Sequence, residues 1–216
     1  MARLEDPRIW RVALGLTMAA GFTDAVGWIS TGGLFVSFMS GNVTKLGLGL
    51  AGVLDNALLG AALLASFVAG VVLGSTVGRA AGDMQAYAVL RLVALLMALS
   101  AALLSSGTMV PAVLLLAAAM GAKNTAFAED GEVKVGLTYL TGALVRLGKR
   151  IATALHGGDR WGWLAPLGLF AAMLGGATLG ALASLAWGPR ALWVAVVAVV
   201  LMAMVVRRLA TSLQPG

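Results

Sequence analysis

The sequence has no cysteine and very little charge. Its 216 residues include 15 lysines and arginines, 9 aspartates and glutamates and one histidine, so charged residues make up only 11% of the chain. An ordinary soluble domain has about 25%. The absence of cysteine excludes disulfide bonds, thiolate metal sites and thiol nucleophiles, and it leaves the redox compartment undecided. The scarcity of charge excludes a surface that faces water on all sides.

Apolar residues take the place of the missing charge and form 60% of the chain. This composition predicts an all-α integral membrane protein, a single transmembrane domain over residues 1–216 that lies almost entirely in the lipid bilayer. The net charge of +6 is then carried by the loops that direct membrane insertion. No isolated basic face is present, so we expect no nucleic-acid partner.

One stretch of the sequence occurs twice. Residues 34–50 read LFVSFMSGNVTKLGLGL, and residues 136–148 read GLTYLTGALVRLG. Just before these stretches, GFTDAVG aligns with GAKNTAF, one residue out of the later register, which places Asp24 opposite Asn124. We therefore predict two sequence repeats, about 9–106 and 109–209, each with about four membrane elements.

Each repeated stretch begins with an unusual element. LFVSF is rich in β-branched and aromatic residues, as a strand is, and the following SGN is typical of a helix start. An extended piece followed by a helix would reach roughly 33 Å, enough to cross a hydrocarbon core of about 30 Å. The alternative is one continuous helix with Gly41 inside it. The broken element predicts that residues 34–38 and 137–139 are non-helical and that helices start near Ser40 and Thr141.

Eight apolar elements can be counted along the chain. If all eight cross the membrane and the N-terminus is cytoplasmic, ten of the 15 lysines and arginines fall inside. The other five are Arg79, Arg91, Lys123, Lys134 and Arg190. This asymmetry predicts cytoplasmic N- and C-termini. Four crossings per half would make the repeats parallel, whereas one re-entrant element per half would invert them.

Two helical stripes of small residues stand out. Gly70, Gly74 and Gly78 recur at four-residue spacing in the third apolar element, and Ala172, Gly176, Gly180 and Ser184 do so in the corresponding later element. Such stripes let helix backbones approach closely in lipid. We expect them to pack the halves together or to join protomers into a homo-oligomer.

Polar residues within or near the apolar elements form the candidate solute-binding site. Ionisable groups in a bilayer are costly, are usually paired and often serve function. The candidates are Asp24, Ser37, Ser40, Gly41, Asn42, Thr44, Lys45, Lys123, Asn124, Thr138, Tyr139, Thr141, Gly142 and Arg146.

These residues allow two interpretations. In the first, Asp24 is a structural latch between the repeats, held by Lys123, Lys45 or Arg146. In the second, two helices begin inside the membrane, at residues 40–42 and 141–142. Their positive ends then face a shared cavity that binds a small polar or anionic solute.

The sequence offers little for catalysis. The only histidine, His156, has no second ligand or base at a useful spacing, and neither a phosphate-binding loop nor a dinucleotide or HExxH motif occurs. The acidic cluster of Glu129, Asp130 and Glu132 is typical of a solvated turn, with a cation-attracting vestibule as the alternative. We predict a transporter or channel with no enzyme activity, cofactor or metal. A non-transporting membrane scaffold and an enzyme acting on lipid are the alternatives.

The paired motifs DAVGW…FVSFMSGNVTKLG and MGAKNTAF…GLTYLTGALVRLG resemble the YoaK-like family of bacterial multi-pass membrane proteins. The resemblance covers nearly the whole chain, and the two S/T-G motifs are its specific part. It implies location in the bacterial inner membrane and about six spans, fewer than the eight counted above, and it gives no substrate. The family often carries glutamine at the position of Lys123, so the lysine is a departure and a candidate partner for Asp24.

Overall fold

The computed structural model describes residues 7–55, 57–129, 132–133 and 140–212. Within these ranges the chain is almost entirely helical. The helices are α1 (Pro7–Thr31), α2 (Met39–Leu50), α3 (Ala57–Ala81), α4 (Gln85–Ser105), α5 (Met109–Lys123), α6 (Leu140–Leu155), α7 (Leu164–Trp187) and α8 (Leu192–Ser212). Short 3-10 turns at Gly82–Met84 and Gly188–Ala191 join α3 to α4 and α7 to α8. A small antiparallel hairpin of β1 (Ala128–Glu129) and β2 (Glu132–Val133) lies in the segment of the acidic cluster.

Three continuous stretches of the described chain are long and apolar enough to cross a membrane. They are Trp10–Thr31, Ala57–Ser105 and Leu164–Thr211. The second stretch contains α3 and α4, and the third contains α7 and α8. Apolar side chains such as Leu58 and Leu185, 85% and 81% exposed, point away from the protein. The prediction of an all-helical membrane protein is confirmed.

The core is built around α5. This helix has only 15 residues, and its side chains are buried along most of its length because α1, α3 and α4 pack around it. Leu116 and Met120 of α5 join Val93 and Met97 of α4 in one buried cluster that also includes Leu16 of α1. The central position of α5 brings the C-terminal end of this helix, at Lys123, against α1.

Helices α1 and α7 pack at a distance that only glycine permits. A Cβ atom on Gly176 would collide with the carbonyl oxygen of Met18, and one on Gly180 would collide with that of Phe22. The contact also works in the other direction, since a Cβ on Gly21 would strike the backbone of α7. The two contacts advance together along both chains, so α1 and α7 run parallel.

Helices α3 and α5 repeat this arrangement. A Cβ atom on Gly70 would collide with the carbonyl oxygen of Ala118, and one on Gly74 would meet the backbone of Ala122. The predicted close packing through both small-residue stripes is therefore confirmed, and it joins the two halves of the chain. Gly78 and Ser184 on the same stripes are buried as well. The stripe glycines are thus not exposed for contact with a second copy.

The directions of the helices correct the crossing count. Tyr87, near the start of α4, lies 5.6 Å from the guanidinium carbon of Arg207, near the end of α8, as measured from the ring centroid. Helices α4 and α8 are therefore antiparallel. Eight alternating crossings would make them parallel, so the count of eight is wrong. An arrangement in which α2 and α6 each return to the side of the membrane on which they began would give the observed helix directions.

Candidate functional site

The chain leaves α1 through two glycines and doubles back. Gly32 and Gly33 have φ angles of 68° and 127°, which side chains with a Cβ rarely adopt. The Gly33 amide donates to the Trp28 carbonyl at 2.9 Å, and the Leu34 amide donates to the Thr31 hydroxyl at 2.9 Å. These bonds end α1 and turn the chain toward its own last turns.

Residues 34–38 then form neither helix nor strand, and α2 begins at Met39. The stretch is therefore non-helical, and the prediction that it is strand-like is wrong because the segment pairs with no described strand. Its hydrogen bonds go to side chains instead. The corresponding residues 137–139 lie outside the described ranges, and α6 begins at Leu140, close to the predicted start.

Asp24 organises the returning segment. One carboxylate oxygen accepts hydrogen bonds from the amides of Val36 and Ser37, at 2.9 and 2.7 Å. The other oxygen accepts a hydrogen bond from the Ser37 hydroxyl. Asp24 is only 5% exposed. Helix α2 has no side-chain cap of its own, so the Asp24 carboxylate supplies the negative charge that a helix start favours.

Asn42 closes the loop from the other side. Its side-chain oxygen accepts the Phe35 amide at 3.0 Å, and its side-chain nitrogen donates to the Phe35 carbonyl at 2.6 Å. The side chain is completely buried. The backbone N–H and C=O of Phe35, which form no strand or helix hydrogen bonds, gain hydrogen-bond partners in this way. Asn42 is therefore a structural fastener of the segment.

Lys45 has a different role from the predicted one. Its ammonium group donates to the Gly33 carbonyl and lies 3.9 Å from the centroid of the Trp28 ring. A cation over an aromatic face is attracted by the ring quadrupole. Lys45 therefore ties α2 to the end of α1. The version of the latch in which Lys45 holds Asp24 is wrong.

Lys123 is a second buried ionisable residue, and it lies at the end of α5. Its side chain is completely buried, and its ammonium group donates to the Leu16 carbonyl at 3.3 Å. Since Lys123 lies on α5 and Asp24 on α1, opposite charges from the two halves of the chain face one buried region. The expectation that Asp24 is buried is confirmed. Its direct hydrogen bonds come from residues 36 and 37, and its pairing with Lys123 stays a prediction.

The other predicted site residues are less central. Gly41 packs against the rings of Phe35 and Phe38, and the Asn124 side chain donates to the Met120 carbonyl at 3.0 Å. Gly142 is half-buried, and the exposed residues are Ser40, Thr44, Thr141 and Arg146. Thr138 and Tyr139 lie outside the described ranges. In the described chain, α2 packs on α3 and α6 packs on α7. Helices α2 and α6 do not contact each other.

A groove of about 420 Å³ opens between α1 and α7 beside Asp24. Its walls are apolar and strongly aromatic, with Trp28, Phe35, Phe38 and Phe170 among them. Leu140, the first residue of α6, also lines it. The starts of the two repeated motifs therefore share one groove, even though α2 and α6 do not touch.

Two buried hydroxyl groups were not found from the sequence. Thr17 and Ser184 have buried side-chain oxygens with no hydrogen-bond partner. Thr17 precedes Asp24 by two helical turns and lies on the same face of α1, so helical spacing could have identified it. Among the described residues, no three His, Cys, Asp or Glu side chains are grouped as a metal site requires.

These features define a multi-pass integral membrane protein with a folded-back segment tied to a buried carboxylate. The chain belongs to the family described as "Protein of unknown function (DUF1275)", which matches residues 12–205. It is also 38% identical over 192 residues to the "UPF0700 transmembrane protein RA0705" of Rhizobium meliloti (strain 1021), a match that covers 87% of this chain and 81% of the relative. No solved structure matches the chain.

Proposed function

We propose that this protein is a small transporter or channel for a small polar solute, with its site where two inverted repeats meet. The observation that carries the proposal is the buried pair of opposite charges, Asp24 on α1 and Lys123 on α5. Fully buried ionisable groups within a membrane are expensive and commonly mark solute or ion pathways. We propose no enzymatic role.

The repeat is supported by the close helix contacts. Gly176 meets Met18 in the way that Gly70 meets Ala118. Met18 and Ala118 correspond in the sequence alignment of the halves, and so do the two glycine stripes. With α2 and α6 returning to their own side, each half crosses the membrane three times. An odd number of crossings per repeat makes the repeats inverted, as in many carriers.

The distribution of charge supports an orientation. With six crossings and the start of α1 in the cytoplasm, only Lys45 and Arg190 of the 15 lysines and arginines fall on the outer side. Arg91 lies within α4 and Lys123 at the end of α5. The other lysines and arginines that the structure describes lie on α6, at cytoplasmic helix ends or in loops. This asymmetry is stronger than the one calculated for eight crossings. It favours a cytoplasmic start of α1 and end of α8, in the inner membrane of a bacterium.

The contacts of Asp24 narrow the class of solute. An anion at the start of α2 would need the amides of Val36 and Ser37, which the Asp24 carboxylate already holds. The proposal is therefore for a neutral or zwitterionic polar solute rather than for an anion bound at this helix start. The groove between α1 and α7 gives such a solute access to Asp24.

Swelling of proteoliposomes in iso-osmotic urea, glycerol or glycine, followed by light scattering, tests the proposal. We expect faster swelling than in protein-free vesicles for at least one solute, and an altered rate for Asp24→Asn at matched folded protein. Thr76→Ala, an exposed change on α3 outside the candidate site, is the control and keeps the wild-type rate. Wild-type protein that transports none of the solutes would overturn the transporter.

The alternative is a non-transporting membrane scaffold. One observation favours it: the Asp24 carboxylate accepts three hydrogen bonds from residues 36 and 37 of the folded-back segment, as a structural latch requires. In that case Asp24→Asn lowers the folded yield, and no solute flux accompanies the wild-type protein.

A further inference from the structure

The surface of α6 differs from that of every other long helix described. Only Ala143 is buried along its 16 residues, and α7 is its only described helix neighbour. One face carries large apolar side chains that the protein leaves uncovered. Among them, Leu144 is 44% exposed, Ile151 41% and Leu155 80%.

The opposite face of α6 is basic, which corrects the expectation that the chain has no isolated basic face. Arg146, Lys149 and Arg150 are all exposed, and at 100° per residue they cluster away from the apolar stripe. The helix itself contains no acidic residue. Arg160 follows in the loop to α7, and Asp159 is the one acidic residue between α6 and α7. The face therefore keeps a clear excess of positive charge.

The loop after α6 indicates where the basic face of α6 lies relative to the membrane surface. Trp161 is 69% exposed, and the indole nitrogen of Trp163 donates to the Arg160 carbonyl at 2.8 Å. Tryptophan with one apolar side and one polar bond is typical of the membrane–water boundary. Arg150 lies beside Gly162 in this loop. The basic face is thus at the level of lipid headgroups.

We infer that α6 and its following loop bind anionic phospholipid headgroups of the cytoplasmic leaflet. The uncovered leucines and Ile151 enter the acyl chains, while Arg146, Lys149 and Arg150 contact the phosphates. An amphipathic helix with a basic polar face is the usual form of such an interfacial anchor. The assignment of the leaflet depends on the proposed orientation, but the binding of headgroups does not depend on transport.

The full chain is purified in a zwitterionic detergent. It is then titrated with phosphatidylglycerol, and phosphatidylcholine is the comparison lipid. Binding is followed by the rise in thermal stability and by lipid retained in native mass spectrometry. Phosphatidylglycerol raises the thermal midpoint, and phosphatidylcholine does not. In the variant Arg146→Gln/Lys149→Gln/Arg150→Gln the apparent affinity falls about a hundredfold, since each basic residue at an anionic surface contributes a factor of several.

The matched control removes three exposed charges elsewhere, as Arg79→Gln/Arg190→Gln/Arg208→Gln, and stays within a few-fold of wild type. An α6 variant that keeps the wild-type affinity, or a control that loses as much, overturns the inference. If the α6 variant does not fold, the salt dependence of phosphatidylglycerol binding to the wild-type protein tests the inference. Raising the salt to about 0.5 M shortens the screening length and must weaken phosphatidylglycerol binding, and unchanged binding overturns the inference.

Discussion

Asp24 and Ser37 are joined twice: the Ser37 amide donates to one carboxylate oxygen at 2.7 Å, and the Ser37 hydroxyl donates to the other. Ser37 lies just before α2. The two hydrogen bonds therefore fix the point at which the folded-back segment ends and the helix begins. The carboxylate thereby satisfies two backbone donors, and it is buried in the same protein interior as the oppositely charged Lys123.

The first prediction concerns this charge balance. Asp24→Asn keeps acceptors and donors for Ser37 but removes the negative charge, and Lys123→Met removes the positive one. Each single change leaves one buried charge uncompensated and should cost roughly 3–5 kcal/mol. The double variant should cost clearly less than the sum. Chemical denaturation of the four proteins in detergent measures this coupling, and strictly additive costs would mean that the two charges do not interact.

The second prediction compares neighbouring glycines on α7. A Cβ on Gly176 would strike the Met18 backbone, whereas one on Gly175 would meet nothing within 4 Å. Gly176→Ala should therefore force α1 and α7 apart and cost about 1–3 kcal/mol. Gly175→Ala should be neutral or gain up to about 1 kcal/mol of helix propensity. Thermal unfolding of the two variants decides, and equal midpoints would contradict the close crossing.

The third prediction concerns Asn42. Asn42→Ala removes both hydrogen bonds to Phe35 and leaves buried backbone groups without partners, at a cost of about 1–3 kcal/mol. Thr44→Ala is the matched control, because Thr44 is exposed and bonds only to the Ser40 carbonyl at 3.3 Å. The free energies of unfolding of both variants provide the measurement. An Asn42→Ala protein as stable as the control would show that the fold-back is held by other contacts.

The fourth prediction tests the crossing count, and the absence of cysteine makes it simple. Asp55 and Asp83 are both exposed, and single cysteines there can be labelled with a membrane-impermeant maleimide on intact cells. Six crossings with the proposed orientation make Asp55→Cys reactive from outside and Asp83→Cys reactive only after lysis. Eight crossings predict the reverse. The reverse pattern would overturn the topology proposed above.

Much of the fold could be predicted from the sequence because local signals dominate it. Apolar run lengths predicted all eight helices, and the SGN sequence predicted a helix start near Ser40. The glycine stripes also indicated close packing. These features depend on composition and spacing along a single element.

The number of crossings and the partners of Asp24 could not be predicted in the same way. Both depend on how distant elements meet: the antiparallel contact of Tyr87 with Arg207, and the return of Val36 and Ser37 to the level of Asp24. Because amides carry no side-chain signature, the sequence pointed to cations as partners for a buried carboxylate and missed the backbone donors.

The two glycine crossings have a consequence for biosynthesis. Each crossing joins a helix of the first half of the chain to a helix of the second half. Met18 packs against Gly176, and Gly70 packs against Ala118. While the ribosome is still adding α7, α1 sits in the bilayer without its principal neighbour. The first half of the chain therefore cannot complete its helix packing by itself. During synthesis, α1 stays in the bilayer without α7 until nearly the whole chain has been inserted.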